Sequence, residues 1–494
     1  MAENILAVLN VNADCRLLAA VESFVAGIAE SQGLSSSESS ELGKLAKDAL
    51  DYVIGINLVQ SETSTVAITL STRMDQFVVA VEHQGLPIDL GSDIPLRSSP
   101  FSLSIKSPVV DEVSLVNLGK IGQRFEFVKY VDYPSPYEPG TCSTVLAKDS
   151  EISVITDHDH IEVREVLPDE GLKVARCFHR VYGYTYGPSY VYFPDRLKAM
   201  IEAGNLVSIG AFDLSGELVA HGAMRLDPPD ATVGELISLA VDPRYRGVGL
   251  ASRIHLSLMD FARKKKMKCL IGEAVTLHPY SQKLCLAVGG RESAIMVGYI
   301  PPSDYKLISA GDVKRRQLAV VYFFGLSDSS ESYKIFAPQN YRDIIEKIYA
   351  HLGLKRELLS ESAVPWGTQC GETAFNVRVY NEVRMASISI EIYCPDTSEI
   401  VGVKLRELLE QGIEYIYLDL PLSDPLTPHF AQEFESSGFF FCGVVPYLLQ
   451  SDALRLQFIN TREVNFGEAV IVSEFGKELA RYVMSKKQSI PFMQ

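Results

Sequence analysis

The stretch from Val233 to Ala262, VGELISLAVDPRYRGVGLASRIHLSLMDFA, limits what this chain can become more than any other. Gly234 to Val241 is short and apolar and predicts a buried strand. Asp242-Pro243 closes it, because proline has no amide hydrogen with which to continue a ladder. Arg244-Tyr245-Arg246-Gly247-Val248-Gly249 follows as a basic turn. Leu250, Ile254, Leu258 and Phe261 then recur at helical spacing and predict one core-facing stripe. The first amides of a helix have no internal partner, and its dipole is positive there. Strand, glycine turn and helix start together predict a pyrophosphate cradle. The glycine pair alone is equally well a plain tight turn, so the whole string carries the reading.

At 494 residues the chain has room for about three domains. With 47% hydrophobic and 22% charged residues and a mean hydropathy of +0.09, it has a globular composition. No apolar run approaches the ~18 residues of a membrane helix. MAENILAVLNVNAD lacks a basic leader region, so no signal peptide and a cytoplasmic location are expected. A formal charge of −16 repels nucleic acid and anionic lipid, which leaves neither as an expected partner, and it tolerates a cationic amine. Eight scattered cysteines without a CxxC pair predict reduced thiols and no metal site.

Arg244-x-x-Gly247-x-Gly249 behind an apolar strand resembles motif A of the GNAT superfamily of N-acetyltransferases. Lys268 to Glu273 (KCLIGE) fits the next strand, His278 to Val288 the next helix, and Gly289-Gly290 the turn after it. The resemblance covers about residues 160 to 302, within a GNAT domain assigned to 160–330 with a mixed sheet. It implies acetyl-coenzyme A as cosubstrate. The pyrophosphate would lie at Arg244, Arg246, Gly247, Val248, Gly249, Leu250, Ala251 and Ser252. The pantetheine and thioester would lie along the backbone of Leu239, Ala240 and Val241. Ile161 to Arg164 opens this unit as a strand, followed by helices over Leu172–Tyr182 and Pro194–Ala203 and a hairpin across Leu214-Ser215-Gly216. In the family that zone lines the acceptor pocket. Here it holds Tyr182, Tyr184, Tyr186, Tyr190 and Tyr192, which a half-buried aromatic loop explains as well as substrate contact.

Acyl transfer to an amine needs a proton acceptor, a donor for the oxyanion and a proton for the thiolate. Some family members carry a general-base glutamate where Glu235 stands, and its neighbours Leu236 and Ile237 could raise its pKa; an ordinary strand-end carboxylate is the plain alternative. The oxyanion donor is expected among the amides of Leu239 to Val241. The family's acid is often a tyrosine four residues before a Gly-Phe pair, and Cys285 occupies that place here. It reads either as a donor thiol or as a small core residue, with His278 or Tyr280 as substitutes for the missing tyrosine and Ser281 as a helix cap. Arg263-Lys264-Lys265-Lys266 sits at a helix C-terminus, where cations are favoured, and receives no ligand role.

Residues 1–150 read as an α+β unit, with strands at Ile5–Val11, Thr65–Ser71 and Gln76–Glu82 and helices at Leu17–Ile28 and Leu42–Ile54. Ser35 to Ser40 forms a polar linker and helix start. The order resembles the α/β sandwich of histidine-kinase-like ATPases of the anti-sigma-factor kinase type, with Gly140-Thr141 before Val145-Leu146 as its last strand. The resemblance places Asp48 and Tyr52 where the family has a glutamate and a magnesium-binding asparagine. It also places His83, before Gly85, where the family has its adenine-reading aspartate. ATP use is therefore not expected, and the domain is left as a degenerate one that engages a protein partner or self-associates. Asp149 to Asp159 reads as a linker.

Residues 331–494 read as a C-terminal α/β module with a helix-to-Gly-Phe junction at Ser437-Gly438-Phe439, as in a degenerate GNAT-like copy. Cys394-Pro395-Asp396-Thr397 stands where a phosphate turn would be, so no second coenzyme site is expected. The chain is thus an α+β and α/β multidomain protein. The leading expectation is an acyl-CoA-dependent N-acyltransferase that transfers acetyl to a small-molecule or protein amine by direct attack in a ternary complex. The alternative is an acyl-CoA- or nucleotide-sensing regulator of anti-sigma type without turnover.

Overall fold

The computed structural model describes residues 4–56, 65–73, 76–88, 101, 104, 105, 107–131, 160–301, 316–326, 333–359, 372–449, 451–461 and 469–489. The proposed last strand of the N-terminal unit, at Gly140 to Leu146, and the linker at 149–159 lie outside the described residues.

The N-terminal unit runs β1 (Asn4–Asn12), α1 (Leu18–Ser31), α2 (Ser36–Ile56), β2 (Thr65–Arg73), β3 (Gln76–His83), β4 (Glu112–Asn117) and β5 (Gln123–Tyr130). Its strands form an antiparallel sheet in the order β1-β2-β3-β5-β4. Val21, Val25, Leu45 and Leu50 of the helices share a core with Val79, Phe125 and Phe127 of the sheet. The serine run belongs to α2 rather than to a linker. Ser35 N donates to Glu38 Oε2 at 3.0 Å and Glu38 N donates back to Ser35 Oγ at 3.2 Å, a reciprocal cap that starts the helix.

The middle unit runs β6 (Glu162–Glu165), α3 (Gly171–Tyr182), α4 (Pro194–Glu202), β7 (Leu206–Phe212), β8 (Leu218–Arg225), β9 (Val233–Val241), α5 (Leu250–Lys264), β10 (Cys269–Val275), α6 (Tyr280–Ala287), β11 (Arg291–Ile300) and β12 (Gln317–Gly325). The C-terminal unit follows with β13 (Tyr333–Phe336), α7 (Arg342–Leu352), β14 (Arg356–Leu359), β15 (Ala374–Tyr380), β16 (Met385–Ile392), α8 (Thr397–Glu410), β17 (Tyr415–Pro421), α9 (Thr427–Ser436), β18 (Phe440–Val445), β19 (Ala453–Ile459) and α10 (Glu474–Ser489).

These two units share one twelve-stranded sheet, ordered β15-β16-β17-β19-β18-β11-β12-β10-β9-β8-β7-β6. The order β8-β9-β10-β12-β11 is repeated as β15-β16-β17-β19-β18, with the same antiparallel, parallel, antiparallel and antiparallel pairings. The registers correspond as well: Cys269 pairs with Val233 as Tyr415 pairs with Met385. Counting along the strands, Glu273 falls opposite the place of Asp419, Glu235 that of Ser387, and Arg225 that of Arg378.

The halves meet where Ala294 of β11 pairs with Gly443 of β18. A Cβ on Gly443 would stand 2.4 Å from Ala294 Cα, so only glycine admits this approach. Beside it the buried side chain of Gln457 substitutes for a ladder partner. It accepts from Val297 N at 3.0 Å and donates to Val297 O at 2.7 Å. No helix among the described residues is long and apolar enough to cross a membrane.

Candidate active site

β9 and β10 pair only from Val233/Cys269 to Leu236/Gly272, although β9 runs on to Val241 and β10 to Val275. Beyond that point the parallel strands splay, and the edge of β9 facing β10 has no ladder. A bulge accompanies the splay. The β8–β9 register shifts between His221 and Ala223, and Ser238 takes a φ of 55°, a left-handed conformation costing an ordinary residue about 1–2 kcal/mol. Three side chains hold it. His221 Nδ1 donates to Ser238 O at 2.8 Å while its Nε2 accepts from Ser208 Oγ at 2.8 Å, and Tyr190 OH bonds Ser238 Oγ. Burial pushes the His221 imidazole down to about 4, so the ring is neutral, as these bonds require.

The turn after β9 is held by side-chain hydrogen bonds. Asp242 accepts from Arg244 N at 3.0 Å and from Arg180 Nε at 2.7 Å, and Tyr245 OH donates to Asp213 Oδ2 at 3.0 Å. Gly247 and Gly249 have φ of 84° and 78°, and Gly249 caps α5 with no side-chain bond. The first amides of α5 therefore face the opening without helical partners.

An open cavity of about 2350 Å³ extends from this turn along the splay and across to the C-terminal unit. Of the residues predicted to hold the coenzyme, Leu239, Val241, Arg246, Gly247, Gly249, Leu250 and Ala251 line it. Arg244 does not. Its Nε donates to Asp242 Oδ1 at 3.0 Å and its Nη2 to Asp242 Oδ2 at 2.8 Å, so its guanidinium braces the turn. Ala240 is buried on the opposite face of β9, and Val248 and Ser252 also lie off the cavity wall.

Glu235, His278, Tyr280 and Cys285 all line the cavity. The environment expected for Glu235 is nevertheless different. Leu236 faces the other side of the strand, and the neighbour of the carboxylate is Arg225, its register partner on β8, in an ion pair. The carboxyl that is pushed up, to about 8, is Glu273 on β10. Desolvation is the main cause, the charge of Glu235 beside it the next, and Arg455 and Arg225 moderate both. Glu273 retains accessible surface, but it lines the cavity rather than the protein exterior. Its carboxyl therefore bears the penalty of a buried group.

Cys285 is buried and its thiol is pushed up to about 12 by that burial. It is then a weaker acid than an ordinary thiol near ~8.5, so protonating a departing thiolate from Cys285 would run uphill. His278 is pushed down by desolvation and by Arg246, and its ring lies 5.2 Å from that of the exposed Tyr280. His278 Nδ1 and Ser281 Oγ are buried with no hydrogen-bond partner in another described residue, so Ser281 does not cap α6. Tyr182, Tyr186 and Tyr190 face the cavity. Tyr184 OH instead donates to Gly85 O at 3.1 Å, and Tyr192 OH accepts from Tyr186 N at 3.2 Å, both structural.

The far wall comes from the C-terminal unit, whose Arg378, Tyr380, Tyr417, Asp419 and Arg455 line the same cavity. Arg455 grips Asp419 with two bonds of 2.8 Å. None of this was legible in the motif, because these residues lie far downstream and no local signal marks them. At the start of α8, Cys394 N donates to Thr397 Oγ1 at 2.8 Å and Thr373 Oγ1 donates to Asp396 Oδ1 at 2.7 Å. The polar groups of that turn are thus occupied among themselves.

In the N-terminal unit, Asp48 accepts from Ser104, Tyr52 stacks on Phe101 at 5.1 Å, and buried His83 stacks on Phe125 at 5.4 Å. The loop after β3 is docked on α3 and its following segment. The carbonyls of Gln84, Gly85 and Pro87 meet His179 Nε2 at 3.0 Å, Tyr184 OH at 3.1 Å and Arg176 Nε at 2.9 Å. Among the described residues no cluster of His, Cys, Asp or Glu could hold a metal ion.

Residues 175–286 match the acetyltransferase (GNAT) family. No curated protein is significantly similar to the chain. The ribosomal-protein-S18-alanine N-acetyltransferase from Escherichia coli is similar at 15% identity, over 35% of this chain and 97% of that one, with a TM-score of 0.28. The yncA structure from Salmonella typhimurium, solved with acetyl-CoA, is similar at 14% identity, over 35% of this chain and 98% of that one, with a TM-score of 0.29. The ribosomal-protein-S5-alanine acetyltransferase from Vibrio fischeri is similar at 13% identity, over 37% and 100%, with a TM-score of 0.28. These comparisons give no support to the ATPase likeness of residues 1–150. Within the larger chain, residues 175–286 are thus the part that matches the acetyltransferase (GNAT) family.

Proposed function

We propose that the protein transfers the acetyl group of acetyl-coenzyme A to a primary amine by direct attack in a ternary complex, with the Glu235–Glu273 pair taking the proton of the amine. One observation carries this reading: the splayed β9–β10 edge joins a helix start with free amides to a carboxyl held near neutrality, all in one cavity. The amides of Gly247 to Ala251, with Arg246, suit a pyrophosphate. The edge of β9 beyond the splay, where Tyr182 OH donates to Leu239 O at 3.1 Å, suits an extended chain and offers backbone N–H groups to an oxyanion. The amine loses a proton to the carboxyl pair, its nitrogen bonds the acyl carbon, and the carbon–sulfur bond breaks. The thiolate is protonated from the side of His278 and Tyr280. The C-terminal unit serves as a second copy of the strand pattern that lacks a phosphate turn and walls the acceptor side.

The test is coenzyme A release from acetyl-coenzyme A by the full chain across a panel of primary amines. Release with at least one amine class, reduced about 100-fold in Glu273→Gln, supports the reading. Tight acetyl-coenzyme A binding with no release for any amine refutes it.

A further inference from the structure

The cavity between the two halves of the large sheet has a charge pattern that selects an acceptor. Glu235 and Glu273 stand side by side; Arg225 is in ion-pair contact with Glu235, and Arg455, itself held by Asp419, also acts on Glu273. The three carboxyls Glu235, Glu273 and Asp419 against the two guanidiniums Arg225 and Arg455 leave either a negative charge or a shared proton, and an ammonium group complements both. Three arginines of this wall are already engaged. Arg225 is paired with Glu235, Arg378 with Asp227 at 3.0 Å, and Arg455 with Asp419 at 2.8 Å. A carboxylate arriving beside the amine would find these three arginines taken and would lie against Glu235 and Glu273.

The remaining wall is aromatic and comes from both halves. The rings of Tyr299 and Tyr417 lie 6.1 Å apart, and both line the cavity. The Tyr417 hydroxyl is buried with no hydrogen-bond partner among the described residues. Burial holds both phenols in the neutral form. Arg455 lies over one face of the Tyr417 ring, 5.7 Å from its centre, so the tyrosine pair offers its remaining faces to a desolvated cation, and a buried free hydroxyl calls for a ligand group to satisfy it. The Arg378–Asp227 pair ties β15 to the segment after β8, so a chain element of the C-terminal unit spans this side of the cavity. An acceptor reaches the carboxyl pair past this strand, a path that suits a small molecule better than an amine fixed on the surface of a folded protein.

We propose that the acceptor is a small-molecule alkyl or aralkyl amine with no carboxylate beside its nitrogen, its ammonium group seated between the Glu235–Glu273 pair and the Tyr299–Tyr417 face. This rests on the acetyl-transfer reading and narrows it. The experiment uses matched compounds that differ by one carboxylate: phenethylamine against phenylalanine, and cadaverine against lysine. Phenylalaninamide, which keeps the bulk without the charge, and a short peptide with a free amino terminus complete the panel. The readout is kcat/KM for coenzyme A release by the full chain. The expected result is at least a tenfold preference for the amine in both pairs, phenylalaninamide closer to phenethylamine than to phenylalanine, and the peptide worst. Equal or inverted ratios, or the peptide as the best acceptor, overturn the assignment of acceptor class and leave acetyl transfer standing. No release with any compound, in the presence of measured acetyl-coenzyme A binding, overturns both.

Discussion

Gly247 offers the cleanest separation of backbone strain from phosphate electrostatics. Its φ is 84°, and a Cβ built there meets no atom within 4 Å. A substitution thus causes no clash, and what remains is the left-handed backbone. That costs an ordinary residue about 1–2 kcal/mol and asparagine or aspartate less. Gly247→Ala should weaken acetyl-coenzyme A binding about 5- to 30-fold if the turn yields that strain by moving its amides. Asparagine and aspartate have nearly the same shape and the same tolerance for this backbone, so their difference isolates the charge. A carboxylate about 5 Å from a phosphate interacts at about 1 kcal/mol in water and about 3 kcal/mol at an effective dielectric of 20. The turn is exposed, which favours the lower part of that range. Gly247→Asp should therefore bind about 10- to 30-fold more weakly than Gly247→Asn at low salt, and the gap should narrow at high salt. Isothermal titration calorimetry with both variants measures this. Equal affinities for Asn and Asp at low salt would refute the placement of the pyrophosphate at this turn.

Three further outcomes are expected. The rate of acetyl transfer should rise with pH through about 8 as Glu273 becomes a carboxylate, and Glu235→Gln should move that limb to lower pH by removing the neighbouring charge; a limb that stays in place would separate the two groups. Titration should give one acetyl-coenzyme A site per chain, because the turn at Cys394–Thr397 is self-satisfied; a second site that survives Gly247→Asp would contradict this. His83, His221 and His255 are each pushed by burial from 6.5 to about 4, so the unfolded chain binds more protons in that window. Their stabilising contribution is complete above about 6.5 and is lost as pH falls through about 4, at most about 3 kcal/mol each. Urea midpoints should fall between pH 7 and 4.5, less steeply in His221→Gln; a slope unchanged in that variant would count against it.

Local chemistry was enough to find the turn between β9 and α5. Asp242-Pro243 must end a strand, two spaced glycines permit a left-handed turn, and the stripe from Leu250 to Phe261 must become a helix, whatever surrounds them. The repeated strand pattern of the C-terminal unit was partly legible for the same reason, since Met385 to Tyr393 and Ile413 to Leu420 carry strand periodicity of their own. Direction and neighbourhood were not legible. Arg244 and Arg246 are alike in sequence, and only the fold turns one to Asp242 and leaves the other on the cavity wall. Glu235 stands where a base was expected, yet Arg225 reaches it across the ladder, and the high-pKa carboxyl is Glu273, which read only as a strand residue. His83 likewise resembles a nucleotide position in one dimension and is a stacked core residue in three. Periodicity and turn chemistry act over a few residues and are written in their order. A charge's partners and its desolvation arise from segments such as β8, β10 and β19, which sequence separation does not bring together and only the closed sheet does.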